Sequence, residues 1–113
     1  MTCRKLTGSA FTVTLLVPSP AFNLTSGTPK PYKTVHESGI NITLYNCPEC
    51  GTMVYKETDW DELEGNVIVS AGTLNEGEEL DLDGVKVDVE FWIKYRAKWL
   101  GELQGVGQAQ EFK

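Results

Sequence analysis

Basic residues, histidine and long apolar runs are all scarce in this chain of 113 residues, and each scarcity excludes something. Ten Lys and Arg stand against sixteen Asp and Glu, a net charge of −6. Nucleic-acid binding draws its affinity from clustered Lys and Arg, so an acidic chain is not expected to use it. No apolar run approaches the roughly 20 residues that span a bilayer, and no membrane association is expected. The opening MTCRKLTGSAF lacks the apolar stretch of a secretion signal, so the expectation is a cytoplasmic protein. In that setting the Asn-x-Thr triplets at Asn23 and Asn41 are chance matches, because glycosylation there requires secretion. The single histidine is His36, and there are only three cysteines. A disulfide scaffold is thereby excluded.

What the sequence has is strand patterning. With 41% hydrophobic and 23% charged residues it reads as one globular domain over 1–113. FTVTLLV (11–17) is β-branched and apolar, and stops at Pro18-Ser19-Pro20. Residues 23–32 carry Gly27, Pro29 and Pro31 and predict a loop with at most a short extended piece. INITLYN (40–46) alternates with period two and enters CPECGTMVY, where a turn leads to a strand over 52–56. Residues 59–65 predict a turn or short helix around Trp60, and VIVSA (67–71) a further strand. Residues 75–84 hold Glu76, Glu78, Glu79, Asp81 and Asp83, with no calcium-loop spacing, and predict a solvated loop. VKVDVEFWIK (85–94) predicts the last strand, with Glu90 on its polar side, and 100–113 an irregular tail. Strands between turn residues without a helical period predict an all-β fold. Most of the aromatic residues are expected in the core.

Cys47 and Cys50, two residues apart before Gly51, form the pattern in which a turn presents two sulfurs to one metal or to each other. His36 lies in the polar TVHESG stretch and predicts a solvent-facing side chain, with a general base or substitute ligand as the alternative.

Four ordered blocks, CRKLTGSAF, SGxxxTLYNCPECGTMVY, VSAGTLN and FWIKYRAKWL, resemble the glutathione-dependent formaldehyde-activating enzyme family, a domain also named for centromere protein V. The resemblance runs from Cys3 to about Gln108. It implies a β-tent fold of small antiparallel sheets, zinc as cofactor and a small-molecule substrate, with carbon–sulfur lyase chemistry on thiol–aldehyde adducts. It places Cys47 and Cys50 as half of a four-thiolate structural site. Cys3 matches the last cysteine of a three-thiolate catalytic site. The other ligands of both sites have no counterpart in the sequence, so zinc is expected to be held partially or not at all. Cys47 and Cys50 would then be free thiols, join Cys3 or His36 around a metal, or share one across a dimer. The residues favour free thiols, which leaves a metal-free tailoring enzyme (an isomerase, cyclase or dehydratase) and a non-catalytic dimeric module as alternatives.

Glu90 stands where the family often shows histidine, so Glu90, His36 and Tyr45 are the candidate acid–base residues. Arg4, Thr7 and Ser9 lie on the segment beside the family's catalytic metal and are candidates for holding a substrate anion. Arg96 matches the family arginine and would clamp a carboxylate or pair with a neighbouring acid. The segment missing before Cys3 is expected to leave a sheet edge and apolar surface covered by a homodimer or higher assembly.

Overall fold

A computed structural model describes residues 2–74 and 86–112, and the expectation for the acidic 75–84 stretch lies outside them. The chain divides into two compact units, Thr2–Leu74 and the part from Asn75 onward. The first is built mainly from strands, as an all-β fold requires, and the described residues of the second include two short ones.

The first unit is a five-stranded antiparallel sheet with order β1-β5-β4-β3-β2. Its strands are β1 (Thr14–Pro18), β2 (Lys30–Val35), β3 (Asn41–Asn46), β4 (Met53–Thr58) and β5 (Asn66–Ser70). The alternating segments 40–46, 52–56 and 67–71 match β3, β4 and β5 to within two residues at each end. The strand expected at 11–17 begins three residues later and includes Pro18, opposite Asn66. Proline is tolerated there because β1 is an edge strand. The segment 23–32, expected as a loop, gives way at Lys30 to a full second edge strand. Pro31 pairs with Tyr45 in that ladder. An edge strand has one side without ladder partners, which is where the missing N–H does least harm.

Successive side chains of a strand point to opposite faces. Tyr45, Tyr55 and Val69 lie opposite one another across β3, β4 and β5 and so share one face. Tyr55, Val67 and Val69 form the buried core there, packed against Val17, Phe22 and Tyr45. The Tyr45 and Tyr55 rings stack at 4.5 Å, and Phe22 tilts onto Tyr55 at 4.6 Å. On the other face Tyr32, Leu44, Lys56 and Ile68 line up across β2 to β5. A short helix, α1 (Thr2–Thr7), lies beside Ile42 and Leu44 of this face. Sequence patterning did not suggest α1, since six residues are too few for a helical period to show.

The second unit holds β6 (Val89–Glu90), paired in parallel with β7 (Gly107–Gln108) inside the stretch expected to be irregular. The long strand expected over 85–94 is a correction. Within the described residues it is strand for two residues only, because Trp92 turns left-handed at φ 59° and a 3₁₀ turn follows over Ile93–Tyr95. A positive φ ends strand geometry whatever the alternation of side chains. The aromatic residues are also less buried than expected. Tyr55 is buried, whereas Phe11, Phe91, Tyr95 and Trp99 are exposed, Trp99 at 76%. No helix among the described residues is long and apolar enough to cross a membrane.

Candidate functional site

The helix-bearing face of the first unit encloses an open cavity of about 410 Å³. Its polar lining comes from separate elements: Thr7 of α1, Thr12 before β1, Tyr32 of β2, Asn46 of β3, Thr52 after the cysteine turn and Ser70 of β5. Leu44 and Met53 supply apolar wall. A group of hydroxyl and amide side chains converging on a concave, partly apolar surface is the usual form of a small-molecule site.

Each wall has a local cause. The sixth residue of α1, Thr7, donates its hydroxyl to the Cys3 carbonyl at 2.7 Å, and Gly8, at φ 70°, closes the helix by donating its N–H to the Arg4 carbonyl. The Ser9 N–H donates to Thr7 Oγ1 at 3.2 Å, so Thr7 and Ser9 are tied into one turn beside the cavity. At the other end of the helix the Thr2 N–H donates to Glu37 in the β2–β3 turn at 3.3 Å, which satisfies one of the helix's leading N–H groups.

The cysteine turn borders the same cavity through Gly51 and Thr52. Ladder pairing shifts register between Tyr45 and Asn46, and the chain then folds back. Gly51 donates its N–H to the Cys47 carbonyl at 2.9 Å, and Cys47 donates to Thr52 at 2.8 Å. Gly51 sits at φ 77°, a left-handed conformation that glycine adopts freely. The Cys50 sulfur and the Thr52 hydroxyl share a hydrogen bond of 3.1 Å. The Thr52 hydroxyl and N–H, with the Cys47 thiol, hold the Cys50 thiol below its ordinary range by stabilising the thiolate. The turn therefore presents one exposed thiol, Cys50, and one half-buried thiol, Cys47.

A second and much smaller cleft, about 10 Å³, adjoins the cavity and shares Leu6, Thr7, Thr12, Leu44 and Met53 with it. It is also lined by Cys3 and Lys56. The Lys56 ammonium donates to the Cys3 sulfur at 3.9 Å.

The remaining sequence-derived candidates divide between the two units. His36 is 4% exposed, which corrects the solvent-facing expectation. The β2–β3 turn buries it: its N–H donates to the Ile40 carbonyl, and Gly39 donates to the His36 carbonyl. Its Nδ1 accepts the Ser38 N–H at 3.1 Å and lies 2.8 Å from the Ser38 hydroxyl, leaving Nε2 as the protonated nitrogen of the neutral ring. Burial pushes its pKa below the ordinary value of 6.5. Tyr45 is stacked on Tyr55 on the core face, opposite to the row of Leu44 and Lys56. Arg4 lies in the middle of α1, between the cleft residue Cys3 and the cavity residue Thr7 in sequence.

Glu90 and Arg96 belong to the second unit. Arg96 Nη2 donates to Glu90 Oε2 at 3.1 Å and also to Gln108 Oε1. The same carboxylate oxygen accepts the Leu103 N–H at 3.0 Å and Gln108 Nε2 at 2.6 Å. Gln108, then the Leu103 amide and the Arg96 charge hold Glu90 below the usual carboxylate range. Of the two readings given to Arg96, the geometry realises the pair with a neighbouring acid, and it joins β6 to β7.

The residues that sequence reasoning passed over are Thr12, Tyr32, Asn46, Thr52, Ser70 and Lys56. They come from separate segments, and only Thr52, directly after the Cys-Gly turn, had a local signal.

The donor set can be tested against zinc. Structural zinc takes four N or S donors, and catalytic zinc three with an open position. Among the described residues no three His, Cys, Asp or Glu side chains gather in metal-binding range. The turn offers Cys47 and Cys50, and Cys3 is engaged with Lys56 instead. The residues described do not fit a complete zinc site.

A small antiparallel sheet with a Cys-x-x-Cys turn on the rim of a hydroxyl-lined cavity defines the class, a β-domain with a thiol turn. Within that class the match is specific. The family model for glutathione-dependent formaldehyde-activating enzymes covers residues 1–95, and the chain belongs to that family. No curated protein and no solved structure matches the chain significantly.

Proposed function

We propose that the protein is a small-molecule enzyme acting on thiol–aldehyde adducts, a carbon–sulfur lyase in type, with the cavity beside α1 as its substrate site. The observation that carries this reading is the convergence of Thr7, Thr12, Tyr32, Asn46, Thr52 and Ser70 on one cavity of about 410 Å³, in a chain of the formaldehyde-activating family. An S-hydroxymethyl thiol presents one hydroxyl, one sulfur and a short apolar stem. Hydroxyl and amide side chains suit the first, and Leu44 and Met53 suit the last.

The reaction in the lyase direction breaks the C–S bond. The adduct hydroxyl loses its proton, the carbonyl forms and the thiol sulfur leaves with its electron pair and takes up a proton. In this chain the hydroxyls of Thr52 and Thr7 are suited to hold the adduct oxygen and pass its proton. A hydrogen-bond donor at the leaving sulfur lowers the barrier in the same sense. No step is assigned to zinc.

The test follows the adduct of formaldehyde with glutathione by proton NMR, with and without protein, and exchange spectroscopy gives the rate of carbon–sulfur cleavage. Faster exchange with the wild type than with Thr52→Val, at equal folded content, is the expected result. Equal exchange with and without protein overturns the reading.

A further inference from the structure

Lys56 is out of place by the logic of its strand. It lies in the cross-strand row Tyr32, Leu44, Lys56, Ile68, opposite Leu44 and Ile68. This is the face on which Ile42 and Leu44 are buried to 5% and 3% exposure. An amine in an apolar row normally carries its charge to water along its flexible stem. Here the side chain is half-buried and the ammonium meets the Cys3 sulfur at 3.9 Å, in a cleft walled by Leu6, Ile42, Leu44 and Met53. Two nucleophiles of different kinds therefore meet at the wall of a space of about 10 Å³. That is room for about one water-sized molecule. The cleft shares five lining residues with the larger cavity, which gives small solutes an approach.

We propose that Cys3 and Lys56 form a capture site for a one-carbon aldehyde, held as a reversible methylene bridge between the two side chains. The Cys3 sulfur adds to the carbonyl carbon and the thiol proton passes to the oxygen, giving an S-hydroxymethyl group. Lys56, its ammonium proton given up to water, then forms the carbon–nitrogen bond as the carbon–oxygen bond breaks. The hydroxyl leaves with a proton as water. Overall one thiol, one amine and one formaldehyde give S–CH2–NH and one water, with no oxidant or reductant consumed. One carbon is the fitting length, because the Lys56 stem needs only a rotamer adjustment to bring nitrogen and sulfur to the two sides of a single atom. A two-carbon aldehyde adds a methyl group for which the cleft has no room. The capture is separate from turnover in the larger cavity, and its readout is mass rather than rate.

The experiment treats the full chain with formaldehyde, and in parallel with acetaldehyde, then reads intact mass and maps cross-linked peptides by tandem mass spectrometry. The expected result is a gain of one carbon atom per chain with formaldehyde, mapped to Cys3 joined to Lys56, and no corresponding bridge with acetaldehyde. Cys3→Ser and Lys56→Gln should each reduce that cross-linked peptide to background, with circular dichroism reporting that the variants are folded. Cys47 and Cys50 are two thiols that formaldehyde would also join with the same mass gain, so a Cys47→Ser/Cys50→Ser variant is run alongside and should keep the Cys3–Lys56 bridge. If the one-carbon gain maps only to Cys47–Cys50 or to scattered lysines in the wild type, the proposal is overturned whatever the variants do. Equal bridging by acetaldehyde overturns its size selectivity.

Discussion

On one face of the five-stranded sheet Tyr45 and Tyr55 stack at 4.5 Å over Val67 and Val69, and Phe22 and Val17 close the cluster. On the other, Leu44 and Ile42 share the surface with Lys56, a ring of hydroxyls and a cavity of about 410 Å³. Both faces are drawn from the same strands by the same alternation, so backbone geometry does not distinguish them. Filling does. The aromatic face gains its stability from ring burial. The helix-bearing face buries Ile42 and Leu44 and beside them keeps polar groups and two nucleophilic side chains around a space. Close packing stabilises and open, polar-lined volume binds, and one sheet divides the two tasks between its sides.

The largest break in this comparison is Tyr55→Ala. Tyr55 is 7% exposed and touches both Phe22 and Tyr45, so its removal leaves a cavity at the centre of the core. A loss of about 3–5 kcal/mol in unfolding free energy is expected from denaturant titration, as for other large-to-small aromatic substitutions. Ser70→Ala on the cavity side should change stability by less than about 0.5 kcal/mol. Equal losses at the two positions would mean that the faces are not divided as described.

The next effect in size is Gly51→Ala. Nothing lies within 4 Å of a Cβ placed there, so the consequence comes from φ 77° alone. A left-handed alanine costs about 1 kcal/mol or more relative to glycine. The turn would relax and separate the Cys50 sulfur from Thr52. The expected outcome is a modest fall in stability together with a higher pH midpoint for alkylation of Cys50 by iodoacetamide. Stability falling with no change in that midpoint would uncouple Gly51 from the thiol.

Sequence patterning located β3, β4 and β5 well, because INITLYN alternates with period two, VIVSA is β-branched and apolar, and the Cys-Pro-x-Cys-Gly turn marks where β4 begins. Pro31 obscured the edge strand β2, and Pro18, read as a stop, set the end of β1 one residue early. Proline depletion is a statement about central strands, and an edge has a side where the missing N–H does no damage. The 85–94 alternation misled for the opposite reason: its period is good, but the left-handed Trp92 interrupts it, and alternation carries no information about φ. At the site the Cys-x-x-Cys-Gly turn was plain, since all its parts are local. The cavity was not. Thr12, Tyr32, Asn46 and Ser70 lie in four separate segments, and only the sheet order brings them together. Lys56 was concealed within an ordinary alternating strand, where its face could be assigned only after the register was known.

Thr52→Val should separate binding from stability. The threonine belongs to both the cavity wall and the Cys50 contact, and it is exposed at the head of β4. Losing one hydroxyl hydrogen bond to a bound adduct is expected to weaken binding by about 1 kcal/mol, roughly fivefold, by calorimetry with an S-hydroxymethyl thiol. The denaturation midpoint should stay nearly unchanged. A variant that binds as tightly as the wild type would place the ligand elsewhere.

The smallest effect expected is a pH dependence from His36. Burial lowers its folded pKa below the 6.5 of the unfolded chain, so at mildly acidic pH the unfolded state binds the proton more readily than the native one. For a group depressed in this way the stabilisation is fully present above 6.5 and is lost as pH falls through 6.5 toward the lowered folded value. The Glu37 carboxylate, whose Oε1 lies 3.9 Å from Nε2, works in the other direction by favouring the charged ring, and keeps the net effect small. Unfolding free energy measured by denaturant between neutral pH and mild acid should therefore fall gently for the wild type and more gently for His36→Gln. A slope that is identical in the two proteins would show that the buried ring is not the group being titrated. A slope of opposite sign would mean that the Glu37 contact outweighs burial, and that the β2–β3 turn holds a charged histidine.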